Sequence, residues 1–394
     1  MLEQPRLTVV LSHPVQYFSP LFDLLNTRGT VDLTVAYNND AGAQSTWDEG
    51  FAQKVQWDID LTGGHNNMFL TSGVSPSLVS RLSGMRRLAR LIRSSDVAVV
   101  HGYNTAQALV AIALCTLMSV PFFMRADTSS RTPRHRVDPR HWWPRLACRL
   151  SSGALAVGER NARLMTALGC RRIFVAPFAV DNERFKSVAE RVRADPNTVR
   201  EHLGLPLHAP IVAYAGKFTD GKRPGDLIAA QAMLDAPCHI LMIGDGPSRQ
   251  ALEASAEDRP VTFVGFLNQG EMPLALASAD VVVLPSSYEP WGLIINEAMA
   301  CGCVPLVSDA VGCAPDLVAG LGEIYPAGDV AALALALEQA LRTSTVPGCS
   351  AVVQTRVSVH SLERCAAQYE SAVRAVWAKD RGGRRDRVHD RGRC

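Results

Sequence analysis

The stretch "ADVVVLPSSYEPWGLIINEAMACGCVPLVSD", residues 279–309, decides the fold. It opens on an unbroken Val/Leu run, passes through a polar loop with Pro290 and Gly292, and continues as an apolar segment stopped by Gly302. A second apolar run, "CVPLVSD", closes it. Near-continuous Val/Ile/Leu runs bounded by turn residues suit strands covered on both faces, and such strands lie in parallel sheets. The stretch therefore reads as strand, helix, strand. Two carboxylates, Glu289 and Glu297, flank the point where the first strand turns into the helix.

The same alternation runs through the rest of the chain. Strand candidates in the first half are "RLTVVLSH", "VDLTVAYN", "DVAVVHGY", "VPFFMRAD", "GALAVGE" and "RIFVAPF". In the second half they are "PIVAYAGKF", "CHILMIGDG", "VTFVGF", "DVVVLPSS" and "CVPLVSD". Repeated strand-helix-strand units predict an α/β chain of two doubly wound, Rossmann-like parallel-sheet domains. With 394 residues the chain is too long for one ordinary core. The series breaks once, over the polar, Pro-containing residues 186–208, where a linker is expected. The expected division is a first domain over 1–190, a second over 205–358, a helix at about 361–378 packing back on the first, and a disordered Gly/Arg-rich tail over 380–394. Open sheets of this kind bind ligands at the carboxyl ends of their strands, so the expected site is a cleft at those edges.

Bulk properties exclude several classes. A formal net charge of +2 and 20% charged residues give no signature of a nucleic-acid partner. The start "MLEQPRLTVVLSHP" lacks the basic and long apolar regions of a signal peptide. Residues 106–124 mimic a membrane span, but Gln107, Thr116, Ser119 and Pro121 favour a buried helix followed by a strand. Ten irregularly spaced cysteines, mostly in apolar runs, suit a reducing cytoplasm, and the lone C-x-C at Cys301 and Cys303 makes a zinc site unexpected.

At the carboxyl end of the 279–309 strand, the first amides of the following helix (Gly292, Leu293, Ile294) are unpaired donors at the positive end of a helix dipole. That arrangement suits a phosphate or diphosphate. Carboxylates pair instead with vicinal diols, so Glu289 and Glu297 could each hold a hydroxylated ring beside the diphosphate. Taken singly, either could be a capping or surface glutamate. Their neighbours strengthen the reading. The loop "YAGKFTDGKRP", 214–224, brings Lys217, Lys222 and Arg223 to a strand end, where cations would neutralise a diphosphate and stabilise it as a leaving group. "MIGDGPSRQALE", with Gly244, and "VTFVGF", with Phe266, could form a wall that receives a base.

Together, "GKF…KRPGDLI…IGDGPSRQALE…VTFVGFLNQGEMP…ADVVVLPSSYEPWGLIINEAMACGCVPLVSDAVGCAPDLV" resembles the carboxy-terminal domain of retaining glycosyltransferases of family four, the group 1 glycosyltransferases. The likeness runs from about Ala213 to Val318, with a weaker one at 171–185. It implies a GT-B fold and a nucleoside diphosphate sugar as donor substrate, with no cofactor and no metal. By position it implies that Glu289 contacts the donor sugar and Glu297 the ribose. Lys217 and Lys222 would contact the diphosphate. "WDID", 57–60, superficially resembles an acidic metal motif and reads as ordinary surface.

The first half is less informative. Many relatives carry a Gly-Gly pair in the loop after the first strand; here His13, Pro14, Val15 and Gln16 stand there, so the backbone role does not transfer. His13, Gln16 and Tyr17 are read as acceptor or donor-sugar contacts. The resemblance implies that His101, at another strand end, sits beside the reacting centre. Arg125 and Asp127 at the next strand end suit an acceptor hydroxyl or phosphate. Two arginine-rich stretches, 81–93 and 131–152, the second with Trp142 and Trp143, could rest on an anionic membrane or be solvated surface.

The expected function is transfer of a hexose, with retention, to the hydroxyl of a glycan, glycolipid or small natural product. Localisation is expected to be cytoplasmic, with peripheral contact on the inner face of the cytoplasmic membrane as one form of it. The alternatives are a nucleotide-sugar hydrolase or epimerase and a non-catalytic sugar-nucleotide-binding protein. A Rossmann dehydrogenase is disfavoured because no G-x-G-x-x-G follows the first strand.

Overall fold

The computed structural model describes residues 4–71, 73, 77–128, 142–236 and 238–390, with side chains up to 378. Half of the second basic stretch, residues 131–141, lies outside the described residues. The strands are β1 Arg6–Leu11, β2 Asp32–Tyr37, β3 Thr46–Asp48, β4 Gln53–Val55, β5 Asn67–Phe69, β6 Val97–His101, β7 Phe122–Arg125, β8 Gly153–Ala156 and β9 Ile173–Val175. The second half adds β10 Ile211–Ala215, β11 His239–Ile243, β12 Val261–Gly265, β13 Val281–Leu284, β14 Val304–Ser308 and β15 Glu323–Tyr325.

The chain forms two units. The first comprises 1–44, 60–177 and 362–394, and the second 45–59 and 178–361. Unit 1 holds a seven-stranded sheet in the order β5-β2-β1-β6-β7-β8-β9, and unit 2 a six-stranded sheet in the order β12-β11-β10-β13-β14-β15. All described pairings within both sheets are parallel. Their central strands are buried end to end, as β10 and β14 are, because helices cover both faces. In each sheet the order reverses beside the first strand of the unit, which leaves a switch point at β1/β6 and at β10/β13.

Three expectations are corrected by this arrangement. Residues 186–208 are not an open linker: helices Asn182–Ala194 and Pro196–His202 occupy most of the stretch, with Phe185, Val188, Ala189 and Val192 buried in unit 2. Apolar residues at helical spacing outweigh the polar composition there. The final helix runs Leu362–Asp390, beyond the start of the tail expected to be disordered. Each added residue of an established helix brings one more backbone hydrogen bond, and arginine is a good helix former. The third concerns residues 45–59, which form the β3–β4 hairpin and belong to unit 2 although both flanking segments belong to unit 1.

The helix Leu362–Asp390 places Cys365, Ala366, Tyr369, Ala372 and Val373 in the same core as Leu7, Val9, Phe22 and Val35. Residues 106–124 divide into helix Ala106–Leu117 and strand β7, and among the described residues no helix is long and apolar enough to cross a membrane. None of the nine described cysteines is disulfide-bonded.

Candidate active site

The loop after β13 is held from three sides. The Ser287 backbone N–H and hydroxyl both donate to the Gly221 carbonyl, at 2.9 and 3.0 Å. On another side the Gly312 N–H donates to the Glu289 carbonyl at 2.9 Å. A Cβ on Gly312 would stand 1.8 Å from the Pro290 carbonyl oxygen, so only glycine permits this approach. The third anchor is Trp291, 3% exposed, whose Nε1–H donates to Asn296 Oδ1 at 2.8 Å while its ring lies near Phe178 and His360. No motif in the sequence singles out Trp291, Asn296 or Gly312. The only signal for them was an aromatic and a second glycine beside the glutamate loop.

Gly292 caps helix Leu293–Cys301 with φ +95°, a left-handed conformation that turns the chain into the helix. Leu293 and Ile294 are half-buried, while helix residues 295–301 are buried. The ties between residues 287 and 221 carry Lys222 to Glu289, and their side chains form an ion pair. Opposite charges predicted for neighbouring parts of one ligand thus meet directly.

The other two predicted cations also have partners. Lys217 Nζ donates to both oxygens of Asp48, at 2.8 and 2.9 Å. Arg223, itself left-handed at φ +53°, forks onto Asp226 at 2.7 and 3.1 Å. Lys217 follows Gly216 at the end of β10, where strands β10 and β11 run close together. A Cβ on Gly244, at φ +132°, would be 2.0 Å from the Gly216 carbonyl oxygen. That explains a glycine in the G-D-G-P turn without reference to any ligand.

Glu297 differs from Glu289. It is 2% exposed, and its Oε1 has no hydrogen-bond partner. Burial pushes its carboxyl up to about 7, against a hydrogen bond with Gln269 and the charge of Arg184. Arg184 in turn donates to the Gln269 carbonyl and side-chain oxygens, both at 2.9 Å. Gln269 follows β12 by four residues, so Glu297 faces the loop that carries Phe266. Phe266 is half-buried, with the Phe51 ring edge-on at 5.0 Å and Trp57 at 6.0 Å. The "WDID" run is therefore not ordinary surface: Trp57 packs on Phe266, and Asp58 accepts from the Gly270 N–H at 2.8 Å.

In unit 1, His13 is exposed and bonds Ser12 through Nδ1 at 2.9 Å, and Gln16 and Tyr17 are half-buried in the turn before helix Ser19–Arg28. His101 ends β6. Its Nε2 lies 3.2 Å from the Tyr369 hydroxyl and its ring meets Phe18 edge-on at 4.7 Å. Burial, reinforced by the charge of Arg125, lowers its pKa well below the usual imidazole value, so the ring is neutral at pH 7. Arg125 is 2% exposed, donates to the Ala176 carbonyl at 2.9 Å, and lies over the rings of Phe18 and Tyr369. It is thus tied into the interior of unit 1, whereas Asp127, two residues on, is exposed. Tyr369, from the last helix, is a neighbour that no strand-end motif could reveal.

Comparison with solved structures gives the fold. Sucrose-phosphate synthase from Thermosynechococcus elongatus matches with a TM-score of 0.70 at 18% identity, covering 95% of this chain and 100% of that one. Anabaena HepE in complex with UDP matches with a TM-score of 0.69 at 16% identity, covering 94% and 100%. The architecture is that of the GT-B glycosyltransferases. Among sequence relatives, 2-deoxystreptamine N-acetyl-D-glucosaminyltransferase of Streptomyces fradiae is 29% identical over 307 residues, 71% of each chain. D-inositol 3-phosphate glycosyltransferase of Mycobacterium leprae is 32% identical over 205 residues, 49% of this chain and 45% of that one. The family "Glycosyl transferases group 1" matches residues 195–347, so this part of unit 2 is a glycosyltransferase domain of that group.

Proposed function

We propose that the chain transfers a hexose from a nucleoside diphosphate sugar to an acceptor hydroxyl with retention of anomeric configuration, and without a metal ion. The observation that carries this reading is the Lys222–Glu289 pair at the Gly292 cap of helix Leu293–Cys301, with the buried, half-satisfied Glu297 farther along the same helix. The diphosphate would lie against Lys217, Lys222 and the amides of Gly292, Leu293 and Ile294. Glu289 would grip sugar hydroxyls, and the unpartnered oxygen of Glu297 would accept from the ribose.

In the transfer, the bond from the anomeric carbon to the phosphate oxygen breaks as the acceptor oxygen bonds to that carbon on the same face. The acceptor's proton goes to the departing phosphate oxygen, and Lys222 and the helix amides stabilise the charge that develops there. No side chain forms a covalent intermediate, and Glu289 acts as a holder. His101, neutral and held by Tyr369, stands at a strand end of unit 1. The acceptor is a glycan, a glycolipid or a small natural product. The residues read for it all belong to unit 1.

The named relatives act on an aminocyclitol and an inositol phosphate, which supports a polyhydroxylated acceptor. A lipid-borne acceptor has its own support. On helix Leu78–Ser94 the apolar Leu78, Val79, Leu82 and Met85 are exposed among arginines, a pattern suited to an anionic membrane surface. Sedimentation with anionic vesicles that is lost in high salt would support it, and no sedimentation in low salt would rule it out.

The test of the main reading is thermal unfolding with UDP-, GDP- and dTDP-sugars. At ~100-fold excess over Kd, a bound donor adds about 2.7 kcal/mol to stability. A melting rise of a few degrees with one donor class is expected; no rise with any of them would sink the proposal. Replacing Glu289 by Ala should abolish turnover while changing the nucleotide Kd by less than about threefold. Equal loss of both would refute its role as a sugar holder.

A further inference from the structure

We propose that residues 45–59 form a strap of the donor site, in which Asp48 occupies Lys217 in the place that a donor phosphate takes. The inference rests on the diphosphate reading of Lys217 above. It concerns a segment to which no motif of the sequence assigned a role.

The chain enters unit 2 at Ser45, forms the antiparallel hairpin with Thr46 opposite Val55 and Asp48 opposite Gln53, and leaves after Ile59. Along this path it is fixed to the loops after three consecutive sheet neighbours, β10, β11 and β12. Gly50 lies against the Lys217 side chain so closely that a Cβ would stand 2.4 Å from its Cδ. A Cβ on Gly246, after β11, would be 2.8 Å from the Gly50 carbonyl oxygen. After β12, Asn268 Nδ2 donates to the Gln56 carbonyl at 2.7 Å, and Phe266 receives Phe51 and Trp57. The strap thus covers the carboxyl edge that carries the predicted diphosphate and base contacts.

At its tip, Asp48 presents two oxygens to one ammonium, as a phosphate would. The same carboxylate accepts from the Gly50 and Phe51 amides at 2.8 and 3.1 Å, which fixes its position, and Lys217 Nζ stands 5.0 Å from the centre of the Phe51 ring. Burial raises the Asp48 pKa, but Lys217 and the two amides outweigh it and hold the carboxyl below its usual value. Both side chains keep about a third of their surface exposed, 39% for Lys217 and 32% for Asp48. An ion pair so open to water holds weakly, so an incoming diphosphate can take the lysine from it. Asp48 then remains nearby as an opposing charge. Its cost is paid at every binding event, and removing the charge should tighten binding.

The experiment is calorimetric titration of the full chain with UDP, GDP and dTDP, for the wild type, Asp48→Asn, Lys217→Ala and the double variant. Asparagine keeps an oxygen for the Gly50 and Phe51 amides, so the turn survives. Asp48→Ser, uncharged and also able to cap the turn, serves as a second version. Both single Asp48 variants should lower the Kd of the best-bound nucleotide at least threefold, and Asp48→Asn should have no effect when Lys217 is Ala. An unchanged or higher Kd in the Asp48 variants would overturn the strap, as would the same gain in the Lys217→Ala background. Those results would leave the nucleotide-sugar reading standing. Failure of the wild type to bind any of the three would overturn both.

Discussion

Glu297 shows how a single residue can be legible in position and not in state. Its spacing from Glu289 is plain in the sequence, but its burial, its missing partner and its contact with Gln269 come from helices and loops far apart in the chain. The raised carboxyl pKa has a consequence for stability. Because the folded value of about 7 exceeds the ordinary 4.5, the protonated form is favoured by folding. The stabilisation is complete below the ordinary value and is lost as pH rises towards 7. The melting temperature of Glu297→Gln relative to wild type should therefore climb between pH 4.5 and 7 and be flat outside that window. The full difference should be ~3 kcal/mol; a difference independent of pH would contradict the burial of Glu297. If ribose hydroxyls favour the carboxylate, nucleotide binding near pH 6.5 should release protons. Titrations in buffers of different ionisation heat would detect them.

Among the elements, long Val/Ile/Leu runs were readable because a strand buried on both faces has no room for polar residues. Each of the eleven strands proposed from such runs is present. The missed strands, β3, β4, β5 and β15, have three residues each, too few to show a period. The glutamate loop was placed correctly after a strand, but what braces it was not visible, since Gly312, Trp291 and Gly221 act through contacts across the unit. Gly312→Ala tests the brace. The methyl group would overlap the Pro290 carbonyl, and the backbone of one loop must move. A loss of ~2–4 kcal/mol is expected, with sugar transfer reduced at least tenfold. Full activity at unchanged stability would show that the loop tolerates displacement.

For the whole molecule, the order of the chain and the composition of its units part company twice. The last helix belongs to unit 1, and its Tyr369, Ala366 and Val373 fill that unit's core. Ending the chain at Ser361 should destabilise unit 1 by ~5 kcal/mol or more, from the loss of several buried apolar side chains. Calorimetry of the truncated chain should show the transition of unit 1 lowered or absent, with that of unit 2 little changed. A shift confined to unit 2 would reverse the assignment. The second departure is the strap, drawn from the first sixty residues into unit 2.

By itself, the sequence determined the α/β class, the strand-helix alternation and the location of the glutamate and lysine loops at strand ends. These follow from local periodicity and turn chemistry, which neighbouring residues carry within themselves. Only the tertiary structure decided which charges meet: Lys222 with Glu289, Lys217 with Asp48, Arg223 with Asp226, and Glu297 with a vacant oxygen. Most of these pairings join distant segments, and even the short Arg223–Asp226 pair depends on how its loop is turned. Coulombic attraction depends on distance in space, and a linear pattern does not contain it.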